Sequence, residues 1–120
     1  MNTKNKQHTI YLDYAACLIL AKLGLPQEAS SAYWSKNDGK IFQTESITKF
    51  KGWQKCFVAA VTGEELNQFI PQYTVIERSD PKNWKIHNAR YKAVSHASTE
   101  GEAKVKFLAT LVKNGSIKLN

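Results

Sequence analysis

Residues 99–113 constrain this chain more than any other segment, because both ends of the helix they specify are written into the sequence. Thr99 followed by Glu102 is a capping box, in which a side-chain hydroxyl takes a backbone N–H three residues on. Ala103, Phe107, Leu108, Leu111 and Val112 recur at helical spacing and form one apolar stripe. Asn114-Gly115 supplies the residue that tolerates the left-handed conformation closing a helix. Such a stripe has to be buried, so the rest of the chain must provide a surface for it.

Upstream residues provide that surface as strands and turns. Tyr73 to Glu77 is rich in β-formers and predicts a strand. Ser79-Asp80-Pro81 predicts a turn. Trp84 to Val94 reads as one long strand or two short ones. Trp84 and Ile86 share a face opposite Lys85 and His87, and the phase switches near Asn88. Ala32 to Thr44, folded about Asn37-Asp38-Gly39, predicts a β-hairpin within residues 31–45, since Asp-Gly accepts the positive φ of tight turns. Cys56 to Val61 is an apolar run expected to be a buried strand or a buried approach to the next element.

Two further helices complete the set. Residues 9–23 place Leu12, Ala15, Ala16, Ile19, Leu20 and Leu23 at helical spacing, with Thr9 as the expected N-cap and Gly24 and Pro26 ending the run. Residues 62–70 begin with Thr62-Gly63-Glu64-Glu65, another capping box, and stop at Pro71. Residues 1–8 are polar and basic and predict a flexible arm. The expected fold is therefore α+β: a single small domain over residues 9–120, with an antiparallel β-sheet packed by two longer helices and one short helix. Its 120 residues suit one domain.

Composition narrows the function classes. The formal net charge is +7, and fifteen of the seventeen basic residues are Lys. Lys supplies a solvated point charge, whereas Arg forms the bidentate fork that reads base edges. The charge therefore suits sequence-independent attraction to phosphate, or simply solubility. Cys17 and Cys56 are too few for a disulfide scaffold, and Cys17 is expected in the core. With His8, His87 and His96 they show no metal-ligand spacing. Glu64-Glu65 and Glu100 with Glu102 lie in first turns of helices, where capping accounts for them. No Gly-rich phosphate loop and no nucleophile motif is present. The expectation is a non-enzyme with no catalytic residue, no cofactor and no metal, outside the membrane.

Residues 46–61 interleave Lys49, Lys51 and Lys55 with Phe50, Trp53 and Phe57. Lysines beside aromatics can bind single-stranded nucleic acid through phosphate attraction and base stacking. The same pattern arises where aromatics anchor a loop and lysines point to water, and Trp53 is open to either reading. A second basic set is Lys85, Arg90 and Lys92, to which Lys82, Lys104 and Lys106 would add. The strand-strand-helix order from Tyr73 to Lys113 resembles the layout of double-stranded RNA-binding folds. However, Glu100 and Glu102 would repel phosphate at that helix start.

Several short signatures are similar to small uncharacterised proteins of phages, prophages and bacterial mobile elements. They are Leu23-Gly24-Leu25-Pro26-Gln27-Glu28, Tyr33-Trp34, Thr62, Glu64-Glu65-Leu66, Ile70-Pro71 and Trp84. Thr99-Glu100, Glu102-Ala103, Lys106, Leu108, Leu111-Val112 and Gly115 continue them. Residues 46–61 depart from that pattern. The resemblance implies a bacterial or phage origin and a cytoplasmic location, and supplies no catalytic residue. It makes an accessory protein natural, one that binds a protein partner or a second copy of itself; an exposed tryptophan would anchor the interface, but Trp34, Trp53 and Trp84 can equally all be core residues, and Trp84, in a strand facing the last helix, is expected in the core. The alternative is a basic nucleic-acid-binding protein. Candidate contacts for either partner are Lys49, Lys51, Trp53, Lys55, Lys85, Arg90 and Lys92.

Overall fold

The computed structural model describes residues 10–120, so the arm expected over residues 1–8 and the cap expected at Thr9 lie outside the described residues. The chain is α+β with antiparallel sheets, and it forms two compact units, Met1–Thr62 and Gly63–Asn120. Each is described by itself.

In the first unit, helix α1 spans Tyr14–Lys22. It starts later than the apolar spacing suggests, because Asp13 is the N-cap and its Oδ1 accepts the Ala16 N–H at 2.8 Å. Tyr11 is extended and bridges Thr62, and the Leu12 N–H donates to the Val61 carbonyl at 2.7 Å. The buried face is also turned from the expected stripe: Cys17 and Leu20 are buried, while Ile19 is exposed. The end is as read. Gly24 has φ +103, and the N–H groups of Gly24 and Leu25 donate to the carbonyls of Ala21 and Leu20.

Strands β1 (Ala32–Ser35) and β2 (Ile41–Gln43) form the expected hairpin. Asp38 Oδ1 accepts the Lys40 N–H, and Gly39 takes φ +68, the left-handed position the turn requires. A short 3₁₀ turn (Ile47–Lys49), the one-turn helix α2 (Trp53–Cys56) and strand β3 (Phe57–Ala59) follow. The apolar run from Cys56 thus contains a strand, and β3 pairs antiparallel with β1 to give the order β2-β1-β3. As the central strand, β1 is buried at Ala32, Tyr33 and Trp34 on both faces. Its polar tips are satisfied: the Tyr33 hydroxyl donates to the Gln27 carbonyl, and Trp34 Nε1 donates to the Leu12 carbonyl at 3.0 Å.

In the second unit the helix expected over 62–70 is a 3₁₀ turn, Glu65–Phe69, anchored by buried Leu66. A meander follows: β4 (Val75–Asp80), β5 (Asn83–Asn88) and β6 (Ala93–Ala97), in the order β4-β5-β6. The strand expected from Tyr73 starts two residues later and runs through Ser79 and Asp80, so the turn centres on Pro81-Lys82. Asp80 Oδ1 accepts the Lys82 N–H there. The long apolar stretch resolves into two strands, because Ala89–Lys92 turns the chain where the phase switches. Helix α3 (Glu100–Lys113) returns across one face of this sheet. Ala103, Phe107 and Leu111 pack with Ile86 and Ala93, and Trp84, Tyr91 and Ile117 close around them. Thr99 caps α3 through the Glu102 N–H, and Gly115 (φ +79) ends it. No helix among the described residues is long and apolar enough to cross a membrane.

Candidate functional site

The Lys-rich segment of the first unit is built from two buried anchors with an exposed span between them. Ile47 is fully buried and Trp53 is 7% exposed; both belong to a cluster with Tyr33 and Ala59. The Trp53 ring meets Tyr33 edge-on at 6.2 Å. Gly52, at φ +74, lets the chain turn directly into α2. The span between the anchors is forced outward, so Lys49, Phe50 and Lys51 are exposed, as is Lys55 one turn further on. Trp53 therefore serves as a core anchor. Its ring is withdrawn from solvent and does not offer the stacking face that its place among lysines suggests.

The exposed aromatic is Phe50, at 44%. Its ring meets Phe42 edge-on at 5.5 Å, and Phe42 stacks on Phe57 at 5.1 Å. The segment thus shows water an aromatic side chain with a lysine on each side, braced from below by two more rings. The sequence names Trp53 as a candidate contact and leaves its exposure open. The signal for Phe50 was Gly52, the turn residue that separates it from the buried helix.

The second basic set is not gathered in one place. Lys85 is half-buried on the sheet face opposite α3, in register with Glu77 on one side and His96 on the other. On that face Glu77 Oε2 and His87 Nε2 pair at 2.9 Å. Arg90 and Lys92 are exposed in the β5–β6 turn, at the end of the strands, whereas Lys82 sits in the β4–β5 turn at the opposite end. Lys104, expected on the surface, is only 3% exposed: its Nζ reaches Glu100 Oε2 at 3.2 Å and the Gly63 carbonyl at 3.3 Å. Lys106 Nζ donates to the His96 carbonyl at 3.3 Å. A continuous basic face from Lys82 to Lys106 is therefore absent.

The first turn of α3 keeps Glu100 and Glu102, with the Glu102 carboxylate accepting from the Ser98 hydroxyl. With Glu100 paired to Lys104, Glu102 leaves the helix start one net negative side-chain charge. Cys17 is buried and Cys56 half-buried, and no group of three or more His, Cys, Asp or Glu among the described residues is placed to hold a metal ion. A cavity of about 290 Å³ in the first unit is lined by Leu18, Leu25, Gln27, Lys36, Trp53 and Phe57, among others. The Gln27 amide bonds Ala59 N and the Leu25 carbonyl, and Lys36 Nζ bonds the Gln54 carbonyl. Both thus bond the protein's own backbone, and Glu28 also lines the cavity. Compared with family models, curated proteins and solved structures, the chain matches none of them.

Proposed function

We propose that this protein is a non-enzymatic, cytoplasmic binder of single-stranded nucleic acid, with Lys49, Phe50, Lys51 and Lys55 as its contact segment. One observation carries the reading: Phe50 is exposed between two exposed lysines while Trp53, three residues on, is buried. Exposed bases stack on aromatic side chains without regard to sequence, and lysines neutralise the phosphates between them. A duplex hides its bases, and the acidic first turn of α3 disfavours phosphate at that helix start.

The test is fluorescence anisotropy with labelled single-stranded DNA, double-stranded DNA and double-stranded RNA, at low and near-physiological salt. The expected result is saturable binding that prefers the single strand and persists at the higher salt. Changing Lys49, Lys51 and Lys55 to Gln should flatten the salt dependence by about 0.7 in slope per lost phosphate contact. Binding that vanishes with salt equally for all three forms would refute the reading.

A second reading, a protein partner or a second copy of the chain, is favoured by one feature of the second sheet. Val75, His87 and Val94 form one cross-strand row on the face opposite α3, and both valines are exposed. Sedimentation velocity over a range of protein concentrations tests self-association. A single species throughout, and the same species after Val94→Lys, would remove that form of it.

A further inference from the structure

Both non-glycine residues with positive φ among the described residues, Tyr73 (φ +65) and Lys92 (φ +52), stand at the same end of the second sheet. Tyr73 enters β4, and Lys92 closes the turn between β5 and β6. A bulky aromatic residue seldom occupies the left-handed region, where glycine or asparagine sits with little strain. Tyr73 is nevertheless 83% exposed, so no burial of its ring compensates for the strain.

A buried side chain supports the strained conformation instead. Asn88 is 2% exposed at the end of β5. Its Nδ2 donates to the Gln72 carbonyl at 3.1 Å and to Thr74 Oγ1 at 2.9 Å, one residue either side of Tyr73. The Thr74 hydroxyl in turn donates to the Pro71 carbonyl at 2.7 Å. The Asn88 Oδ1 accepts the Arg90 N–H at 3.0 Å, tying the same residue to the β5–β6 turn. One asparagine thus braces two turns. One displays an aromatic ring to solvent and the other displays Arg90 and Lys92, both exposed. Neither turn carries an Asp or Glu; Asp80, Glu100 and Glu102 lie toward the other end of the strands. Strain kept at exposed residues by a buried network is a mark of a site.

The geometry points to a second nucleotide-binding site, in which a base of a single-stranded polynucleotide stacks on Tyr73 and its flanking phosphates meet Arg90 and Lys92. The ring provides a sequence-tolerant stacking face. The Arg90 guanidinium matches phosphate geometry, and Lys92 adds a point charge. The inference rests on the single-strand reading above and places a contact where that reading has none.

The test uses the full chain and labelled oligothymidylate, oligouridylate and an abasic oligodeoxynucleotide, each of about 15 nucleotides, within the range of single-strand site sizes. Tyr73→Gly should weaken binding of both base-bearing strands about 5- to 150-fold, the range spanned by one lost stack. It should leave the abasic strand unchanged and raise the thermal midpoint, because glycine relieves the positive φ. Tyr73→Phe should bind as the wild type does. Changing Arg90 and Lys92 together to Gln should lower the salt slope by about 1.4 for all three strands. Equal loss on the abasic strand, or equal binding of polyglutamate, would overturn the base-stacking assignment. Wild-type binding that Tyr73→Gly leaves intact overturns this site alone, whereas a wild type that binds no oligonucleotide overturns both readings. A preference between the thymidylate and uridylate strands would support the site and identify its natural source as DNA or RNA.

Discussion

Replacing Asn88 with alanine removes three hydrogen bonds, to the Gln72 carbonyl, to Thr74 Oγ1 and from the Arg90 N–H. At about 1 kcal/mol each, the gross loss is about 3 kcal/mol. Part of it returns. Without its brace the Pro71–Thr74 turn can relax, and Tyr73 recovers the roughly 1–2 kcal/mol that an L-residue loses in the left-handed region. The net destabilisation should therefore be about 1–2 kcal/mol. The strain makes a second, sharper claim. In a Tyr73→Gly background there is nothing to recover, so the same Asn88→Ala change should cost about 1–2 kcal/mol more, a coupling that a double-mutant cycle measures. The assay is urea unfolding of the four proteins, followed by backbone resonances of β5 and β6 so that the second unit is read directly. An Asn88→Ala loss below about 0.5 kcal/mol would refute the bracing role. Equal losses in the two backgrounds would refute the link between Asn88 and the Tyr73 backbone.

Other consequences of the packing can be checked with simpler variants. Phe107 is fully buried between α3 and the second sheet, so Phe107→Ala should cost about 3–5 kcal/mol by chemical denaturation. A loss below about 1 kcal/mol would mean that the helix does not pack through this stripe. The Tyr33 hydroxyl titrates above its ordinary value of 10.0, chiefly because burial disfavours the phenolate; a backbone bond with Ser30 lowers it, and the nearby Glu28 charge raises it. A raised folded-state value means that the stabilisation is fully present below the unfolded value and is lost as pH rises through the folded one. Stability measured from pH 8 upward should therefore begin to fall near pH 10, and Tyr33→Phe should fall less steeply; identical pH profiles would contradict the assignment. Phe50→Ala should weaken single-strand binding about 5-fold or more while leaving the fold intact, read by anisotropy and circular dichroism. An unchanged affinity would remove Phe50 from the contact.

Helix ends were the most legible part of the fold because they depend on the local backbone. Gly24 and Gly115 each close a helix with the same pair of backbone bonds, and each is the only residue type that takes that conformation freely. Thr99 and its Glu102 N–H partner are likewise three residues apart in sequence. The start of α1 departs from the local spacing because long-range pairing overrides it: Tyr11 and Leu12 bond Thr62 and Val61, some fifty residues away, and Asp13 caps a shorter helix. The segment over residues 62–70 has the composition of a helix start, yet Pro71 leaves room for barely two turns and the 3₁₀ form results. Lys104 is the clearest tertiary exception. Helical phase puts it beside the apolar stripe, and only an acceptor on the Gly63 backbone and the Glu100 carboxylate make its burial tolerable.

The candidate contacts were harder to read for a related reason: exposure of an aromatic residue is decided by what fixes its neighbours. Trp53 and Phe50 look alike as aromatic residues among lysines, but Ile47 and Trp53 both reach the core and leave the span between them no route inward. Burial of one ring therefore exposes the other. Tyr73 reads in sequence as the first residue of a strand, since nothing local reveals that an asparagine fifteen residues later will hold its backbone at positive φ. Arg90 and Lys92 were visible as charges, but their place beside that turn follows only from the pairing of β4 with β5 and β5 with β6. In both places a core side chain sets the presentation and a surface side chain does the presenting. Variants that separate the two are therefore the informative ones: Tyr73→Gly alters the display with its brace intact, whereas Asn88→Ala loosens the brace with the ring still in the chain.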